Sequence, residues 1–121
     1  MPLFVVHQHH AKKLHWDLRL EMNNSLESWA IPKEPPLETG VKRLAIYTEP
    51  HELSYANFEG EIPEGQYGAG KVIIWDKGKY DLIEKKDDVI VIRLFGEKLK
   101  GEYVLVKMKS KENNWLFFKR K

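Results

Sequence analysis

Residues 14–21 read Leu14-His15-Trp16-Asp17-Leu18-Arg19-Leu20-Glu21, a strict alternation of apolar and polar side chains. Such alternation is typical of a half-buried β-strand, because successive side chains point to opposite faces. The apolar set is predicted to face a core: Leu14, Trp16, Leu18 and Leu20. The polar set is predicted to form a row on the outer face: His15, Asp17, Arg19 and Glu21. Neighbours in that row lie about 6–7 Å apart, so their tips can converge on one ligand.

The segment before this strand is rich in histidine, and positions 7–21 hold four of the five histidines of the chain. His15 and Asp17 share the predicted outer face, and a third metal ligand would come from the preceding segment. The candidates for it are His7, His9 and His10. Two imidazoles and one carboxylate form a facial ligand set that suits Mn²⁺ or Fe²⁺. Because a guanidinium beside the metal can hold a phosphate, the row predicts a metal-assisted phosphate site.

Two other interpretations fit the same residues. His15-x-Asp17 followed by His51 has the form of the iron ligands of cupin-type oxygenases, although such folds usually need a larger chain to enclose their substrates. Alternatively, the histidines form hydrogen bonds on the surface of a non-catalytic nucleic-acid-binding barrel. By spacing alone, Tyr55 and Tyr67 are equally compatible with ordinary aromatic residues at a barrel edge.

The composition predicts one folded domain, residues 1–121, with 42% apolar residues and four tryptophans. Cysteine is absent, so any metal must be bound by His, Asp or Glu. No apolar run reaches bilayer-spanning length and no signal-peptide pattern is present, so we expect a soluble, cytoplasmic protein without membrane contact. The net charge of +2 argues against binding nucleic acid through bulk charge but permits a local basic face, for example at Lys12-Lys13.

The rest of the chain also predicts β-structure. Candidate strands between turn residues are Phe4–His7, Leu14–Met22, Leu26–Ile31, Arg43–Thr48, Val72–Trp75, Tyr80–Ile83, Val89–Leu94, Tyr103–Met108 and Trp115–Lys119. Asp76-Lys77-Gly78 predicts a turn, and Pro35-Pro36-Leu37 permits a short helical turn. The second half therefore forms a series of hairpins, and the predicted fold class is all-β, a small closed or nearly closed barrel.

Seven segments in this order resemble the 3′-phosphoesterase domain of bacterial DNA ligase D. They are Phe4–Ala11 (FVVHQHHA), Leu14–Glu21 (LHWDLRLE), Ser28–Lys33 (SWAIPK), Val41–Ala45 (VKRLA), His51–Tyr55 (HELSY), Phe58–Gly70 (FEGEIPEGQYGAG) and Asn114–Lys119 (NWLFFK). The resemblance covers nearly the whole chain, and its motifs are far more specific than a generic facial ligand set. The short length resembles the stand-alone archaeal members of this family.

The resemblance implies an eight-stranded barrel with at most a short 3₁₀ helix and an active site on its outer surface. It implies Mn²⁺ as the cofactor, with Co²⁺ or another divalent transition metal as the alternative. The implied metal ligands are His9, His15 and Asp17. The phosphate would be held by Arg19 and His51, and Tyr55 corresponds to an active-site tyrosine of the family. His7 occupies a position where bacterial members commonly carry Gln, and we predict that it contacts the phosphate or a neighbouring site residue.

The implied activity is the processing of 3′ ends at DNA breaks, on DNA or DNA–RNA primer-templates. A phosphodiesterase step removes a terminal ribonucleoside and leaves a 3′-phosphate. A phosphomonoesterase step then leaves a 3′-hydroxyl for ligation or synthesis. The implied partners are a DNA ligase and a polymerase of non-homologous end joining.

Overall fold

The computed structural model describes residues 1–66 and 68–121, so the interpretation of Tyr67 lies outside the described residues. Within those ranges the chain forms nine strands and one short 3₁₀ helix, Leu53–Asn57. The strands are β1 (Leu3–His10), β2 (Leu14–Met22), β3 (Ser25–Ile31), β4 (Lys42–His51), β5 (Gly60–Ile62), β6 (Gly70–Lys85), β7 (Val89–Phe95), β8 (Lys100–Lys107) and β9 (Asn114–Lys119). None of the helical segments in this part of the chain has the length and apolar character needed to cross a membrane.

Eight of the strands close into an antiparallel barrel. They follow the order β1-β2-β3-β4-β9-β8-β7-β6, and β6 returns to pair with β1. β5 lies outside the closed barrel, on the edge of β6. Closure depends on the length of β6, which spans 16 residues and pairs with β1 through its first part and with β7 through its last part. The predicted all-β barrel of eight strands is therefore confirmed.

The prediction of a turn at Asp76-Lys77-Gly78 is wrong, because β6 runs straight through these residues. The buried Asp76 carboxylate accepts hydrogen bonds from the backbone N–H groups of Glu97, Lys98 and Leu99 at 2.8–3.2 Å. At Gly78 an added Cβ would lie 2.2 Å from the carbonyl oxygen of Phe95. Asp76 and Gly78 therefore serve the contact of β6 with the end of β7 and the β7–β8 loop. The Asp76 carboxylate accepts hydrogen bonds from the loop, and Gly78 allows the two backbones to approach closely.

The short helical turn that Pro35-Pro36-Leu37 permits does not form, and the 3₁₀ helix lies at Leu53–Asn57. Pro35 and Pro36 are nevertheless buried. The Pro36 carbonyl accepts a hydrogen bond from the Tyr103 hydroxyl at 2.9 Å, so this connection packs onto the barrel without regular structure.

The barrel interior forms the main core, and a second, smaller core lies outside it. Trp16, Leu18 and Leu20 point inward as predicted, but Leu14 is 41% exposed because it begins β2 at the end of the barrel. The outer core contains Val5, Leu26 and Ala56, with Leu53 and Tyr55 of the 3₁₀ helix packed against it. The 3₁₀ helix therefore covers part of the outer face of β1, β2 and β3.

This covering changes the environment of the polar row on β2. The row does lie on the outer face of the barrel, but it is not exposed to water as the alternation alone suggested. Asp17 is 6% exposed, Arg19 is 4% exposed, and His15 is half-buried. Burying charged groups is costly unless each finds a partner.

Candidate active site

The pairing of β1 with β2 brings a potential metal-ligand set together. His9 lies directly opposite His15, and His7 lies opposite Asp17. Residues opposite each other in an antiparallel pair share a face of the sheet. One ligand atom from each of His9, His15 and Asp17 lies within 4.8 Å of the other two. His10 lies opposite Leu14 on the other face and is exposed, so the structure does not bring it into this set.

The separations within this set fit one divalent ion. Asp17 Oδ2 lies 3.3 Å from His15 Nε2 and 3.8 Å from His9 Nδ1. Two ligands each ~2.1 Å from a common ion lie about 3.0–3.4 Å apart, so only a few tenths of an ångström of adjustment is required. Two imidazole nitrogens and one carboxylate oxygen are donors that divalent transition metals accept.

The second nitrogen of each histidine is held by a backbone carbonyl. His9 Nε2 lies 3.2 Å from the oxygen of Ala69, and His15 Nδ1 lies 3.2 Å from the oxygen of Lys13. A carbonyl only accepts, so these nitrogens carry the protons and donate. In the neutral rings, the nitrogens that face Asp17 then have free lone pairs, which is the tautomer that metal binding requires. A protonated His15 instead donates from its Nε2 to the Asp17 carboxylate.

The charges around Asp17 keep its carboxylate ionised. Burial by itself would raise the pKa of Asp17, but the hydrogen bond with His15 and the charge of Arg19 outweigh it and lower the pKa below its usual value. The same hydrogen bond raises the pKa of His15. The carboxylate is therefore available as an anionic ligand at neutral pH.

The Arg19 guanidinium is fixed on three sides. Its Nε donates to His7 Nδ1 at 2.9 Å, its Nη1 donates to Ser28 Oγ at 2.9 Å, and its Nη2 lies 3.4 Å from Asp17 Oδ2. Ser28 lies opposite Arg19 in the β2–β3 pair and donates to the carbonyl of Leu26. The sequence motifs did not identify Ser28 as a site residue. Its pairing with Arg19 across β2 and β3 is the signal that could have revealed it.

His7 is fully buried beneath the site and does not line the groove. Its Nδ1 accepts from Arg19, so its Nε2 carries the proton and donates to the carbonyl of Phe58 at 3.1 Å. Burial, together with the charge of Arg19, lowers the pKa of His7 to about 4, so the ring is neutral. The structure places His7 against Arg19, where it orients the guanidinium.

His51 and Tyr55 reach the site from the end of β4 and from the 3₁₀ helix. Their rings stack with centroids 4.6 Å apart, and the Tyr55 ring also stacks on Phe58 at 5.0 Å. Arg19 Cζ lies 5.0 Å from the centroid of the Tyr55 ring, a cation–π contact. Burial, followed by the charge of Arg19, lowers the pKa of His51, and burial raises the pKa of Tyr55.

These side chains line an open groove of about 610 Å³ on the outer surface of the barrel. Its lining includes His9, His15, Asp17, Arg19, His51 and Tyr55. The groove thus presents a potential metal-ligand set, a buried guanidinium and an imidazole in one place. Such an arrangement can bind an anionic group and stabilise charge that develops on it.

The family model described as the DNA Ligase D 3′-phosphoesterase domain matches residues 7–107. The chain belongs to this family. It is 48% identical over 117 residues to the multifunctional non-homologous end joining DNA repair protein LigD of Mycobacterium tuberculosis. The aligned region covers 93% of this chain and 15% of that protein. It is also 42% identical over 125 residues to the multifunctional non-homologous end joining protein LigD of Pseudomonas aeruginosa. That aligned region covers 98% of this chain and 15% of the Pseudomonas protein.

A third relative, the LigD protein of Mycolicibacterium smegmatis, is 43% identical over 129 residues, covering 98% of this chain and 17% of its own length. The chain therefore spans 15–17% of the length of these relatives. The family resemblance inferred from the sequence motifs is confirmed.

Proposed function

We propose that this domain is a Mn²⁺-dependent 3′-phosphoesterase that repairs 3′ ends at DNA breaks. It would hydrolyse a 3′-phosphate to a 3′-hydroxyl and would also remove a 3′-terminal ribonucleoside. The observation that carries the proposal is the convergence of His9, His15 and Asp17 within 4.8 Å, beside the buried Arg19 and in an open groove. Membership in the 3′-phosphoesterase domain family supports it.

His9, His15 and Asp17 would hold the metal, which when bound supplies a Lewis acid for a phosphate oxygen. Mn²⁺ suits this mixture of nitrogen and oxygen ligands, and Co²⁺ or another divalent transition metal is the alternative. Arg19 would hold a second phosphate oxygen and offset the negative charge that grows in the transition state. Its three partners keep it oriented, so little reorganisation is needed when the phosphate arrives.

His51 and Tyr55 would complete the phosphate site. His51 lines the groove and would either hold a phosphate oxygen or protonate the leaving oxygen. Tyr55 stacks on His51 and contacts Arg19, so its ring supports both groups that would hold the phosphate. His7 would act through Arg19, because it is buried and bonded to that side chain.

The test uses a 5′-labelled primer-template that bears a 3′-phosphate, incubated with and without Mn²⁺. We expect metal-dependent conversion to a 3′-hydroxyl, and a loss of on the order of a hundredfold or more in His51→Ala. A second substrate with one 3′-terminal ribonucleotide tests removal of the ribonucleoside. No conversion of either substrate with Mn²⁺ or Co²⁺ would overturn the proposal.

A cupin-type iron oxygenase is the first alternative. It predicts Fe²⁺ dependence, consumption of a cosubstrate and no release of phosphate from the labelled end. The barrel interior argues against it, because large side chains such as Trp29, Tyr80 and Tyr103 fill the space where such folds enclose their substrates. The second alternative, a non-catalytic nucleic-acid-binding barrel, predicts DNA binding that persists after chelation, with no turnover to lose.

We also propose DNA or DNA–RNA primer-template ends as the substrate, and a DNA ligase and polymerase of non-homologous end joining as partners. The relatives from Mycobacterium tuberculosis and Pseudomonas aeruginosa are named as end-joining proteins, and this supports the context. A cytoplasmic location goes with this proposal, because an enzyme that processes DNA ends must share a compartment with the DNA, which in prokaryotes is the cytoplasm. Co-purification of the full chain with a ligase from its own cells tests the partnership.

A further inference from the structure

The two sides of the groove carry opposite charge. On one side lies the β1–β2 turn, Ala11–Lys13, in which Ala11 lines the groove and Lys12 and Lys13 are exposed. We call it the basic turn. Glu49 of β4 and Glu52 just after it line the groove and are exposed, and β3 separates them from the β1–β2 turn. We call these two residues the acidic rim. A polyanion that reaches the site is attracted from one side and repelled from the other.

The basic turn is fixed against the potential metal-ligand set. The backbone carbonyl of Lys13 accepts the hydrogen bond from His15 Nδ1 at 3.2 Å. β6 begins at Gly70, which has a φ of +123°, and an added Cβ there would lie 2.2 Å from the carbonyl oxygen of His10. Because β6 packs this closely against His10 and Ala11, the backbone at the start of the turn is held beside the site.

The turn lies next to the site in the chain as well as in space. Lys13 is two residues before His15, and its backbone carbonyl contacts the ring of that residue. Successive phosphates of one DNA strand are about 3.4 Å apart along the helix axis. The flexible four-carbon side chains of Lys12 and Lys13 can therefore reach backbone phosphates close to a terminal phosphate in the groove.

We propose that the basic turn binds the phosphodiester backbone of the strand whose 3′ end occupies the groove, so that the strand enters over Lys12 and Lys13 and ends before the acidic rim. This inference rests on the proposed function and names the route of its substrate. The net charge of +2 is too small for the chain to bind DNA through its overall charge. Binding therefore requires cations placed locally at the site, such as this pair of lysines.

The test compares Lys12→Gln/Lys13→Gln with a matched control, Lys85→Gln/Lys86→Gln. Lys85 and Lys86 are also consecutive exposed lysines, but they lie at the opposite end of the barrel, beside a separate pocket that includes Met22 and Trp115. Both double variants remove the same charge. Binding to a fluorescein-labelled primer-template with a recessed 3′-phosphate is measured by anisotropy with Mn²⁺ at several salt concentrations.

For Lys12→Gln/Lys13→Gln we expect Kd to rise about tenfold and the slope of log K against log salt to shrink by about 1.8, since each lost phosphate contact removes about 0.9. KM for the same DNA should rise with it, while kcat changes little. The control pair should change Kd less than twofold. An unchanged Kd and slope in Lys12→Gln/Lys13→Gln, an equal loss in the control, or no binding by the wild-type chain at low salt would overturn the inference.

Binding and turnover separate this inference from the proposed function. If the wild-type chain binds the DNA through Lys12 and Lys13 but releases no phosphate, the proposed function fails and the binding surface stands. If phosphate is released and the Lys12→Gln/Lys13→Gln variant binds like the wild type, the proposed function stands and the binding surface is overturned.

Discussion

At the residue scale, the burial of Arg19 alters what its substitution would do. A residue of an exposed row would tolerate truncation, but Arg19 is 4% exposed and bonded to His7, Ser28 and Asp17. Arg19→Ala would leave the buried His7 Nδ1 without a partner and would remove one partner each from Ser28 and Asp17, so a loss of stability could be mistaken for a loss of catalysis. Substitution of its supporting residues is the sharper experiment.

His7→Gln should preserve the site, whereas His7→Leu should not. A glutamine amide offers one acceptor for Arg19 Nε and one donor for the Phe58 carbonyl, the same pair that His7 supplies. Leucine offers neither, so we expect about 2–4 kcal/mol lower free energy of unfolding, from two unpaired buried groups, and at least a tenfold lower kcat/KM. Urea denaturation and 3′-phosphatase assays measure both quantities. Equal activity of the two variants would show that His7 does not position Arg19.

Only some of the site residues could be predicted from the sequence, and the reasons are physical. Alternation in β2 was sufficient to put His15, Asp17 and Arg19 on one face. It could not choose among the nearby histidines, because the choice depends on the β1–β2 register, which sets His9 opposite His15. His51 joins the site through the length of β4, which local sequence patterns do not report, so only the family resemblance included it.

At the element scale, the 3₁₀ helix acts as a cover that carries Tyr55 onto the guanidinium. If ring stacking is its contribution, Tyr55→Phe should keep kcat/KM within about threefold, because the contacts with His51, Phe58 and Arg19 need only the ring. Tyr55→Leu should lower kcat/KM at least tenfold. Steady-state assays on 3′-phosphate DNA compare the two variants. A large loss in Tyr55→Phe would instead assign the role to the hydroxyl.

Strand β6 contains Asp76 and Gly78, two residue types that are common in turns, and both make specific contacts with neighbouring segments. Asp76→Asn should lower the free energy of unfolding by about 2–4 kcal/mol, because an amide has only one oxygen to accept from the N–H groups of the β7–β8 loop. Asp81→Asn, at a half-exposed position of the same strand, is the control and should cost less than about 0.5 kcal/mol. Urea denaturation measures both. An equal effect of the two would mean that the Asp76 contacts contribute no special stability.

At the scale of the whole molecule, folding of the barrel and binding of a metal would be coupled through His9, His15 and Asp17. β1 and β2 contribute both core residues and potential metal ligands, so an ion bound to His9, His15 and Asp17 would bind only the folded chain. The sequence predicted the closed barrel because alternation and turn residues are local signals. It could not predict the outer core, since contacts of the 3₁₀ helix with Val5 and Leu26 join segments far apart in the chain.

This coupling makes stability a measure of metal binding that does not depend on turnover. At a free Mn²⁺ concentration of 100 times Kd, binding adds about 2.7 kcal/mol to the free energy of unfolding, which raises Tm by on the order of 10 °C in a domain of this size. His15→Gln removes one half-buried ligand while leaving Asp17 and Arg19 paired, and it should abolish most of that shift. Mg²⁺ prefers oxygen ligands and should raise Tm far less at the same concentration. A Tm that responds equally in the wild type and in His15→Gln would place the ion elsewhere on the molecule.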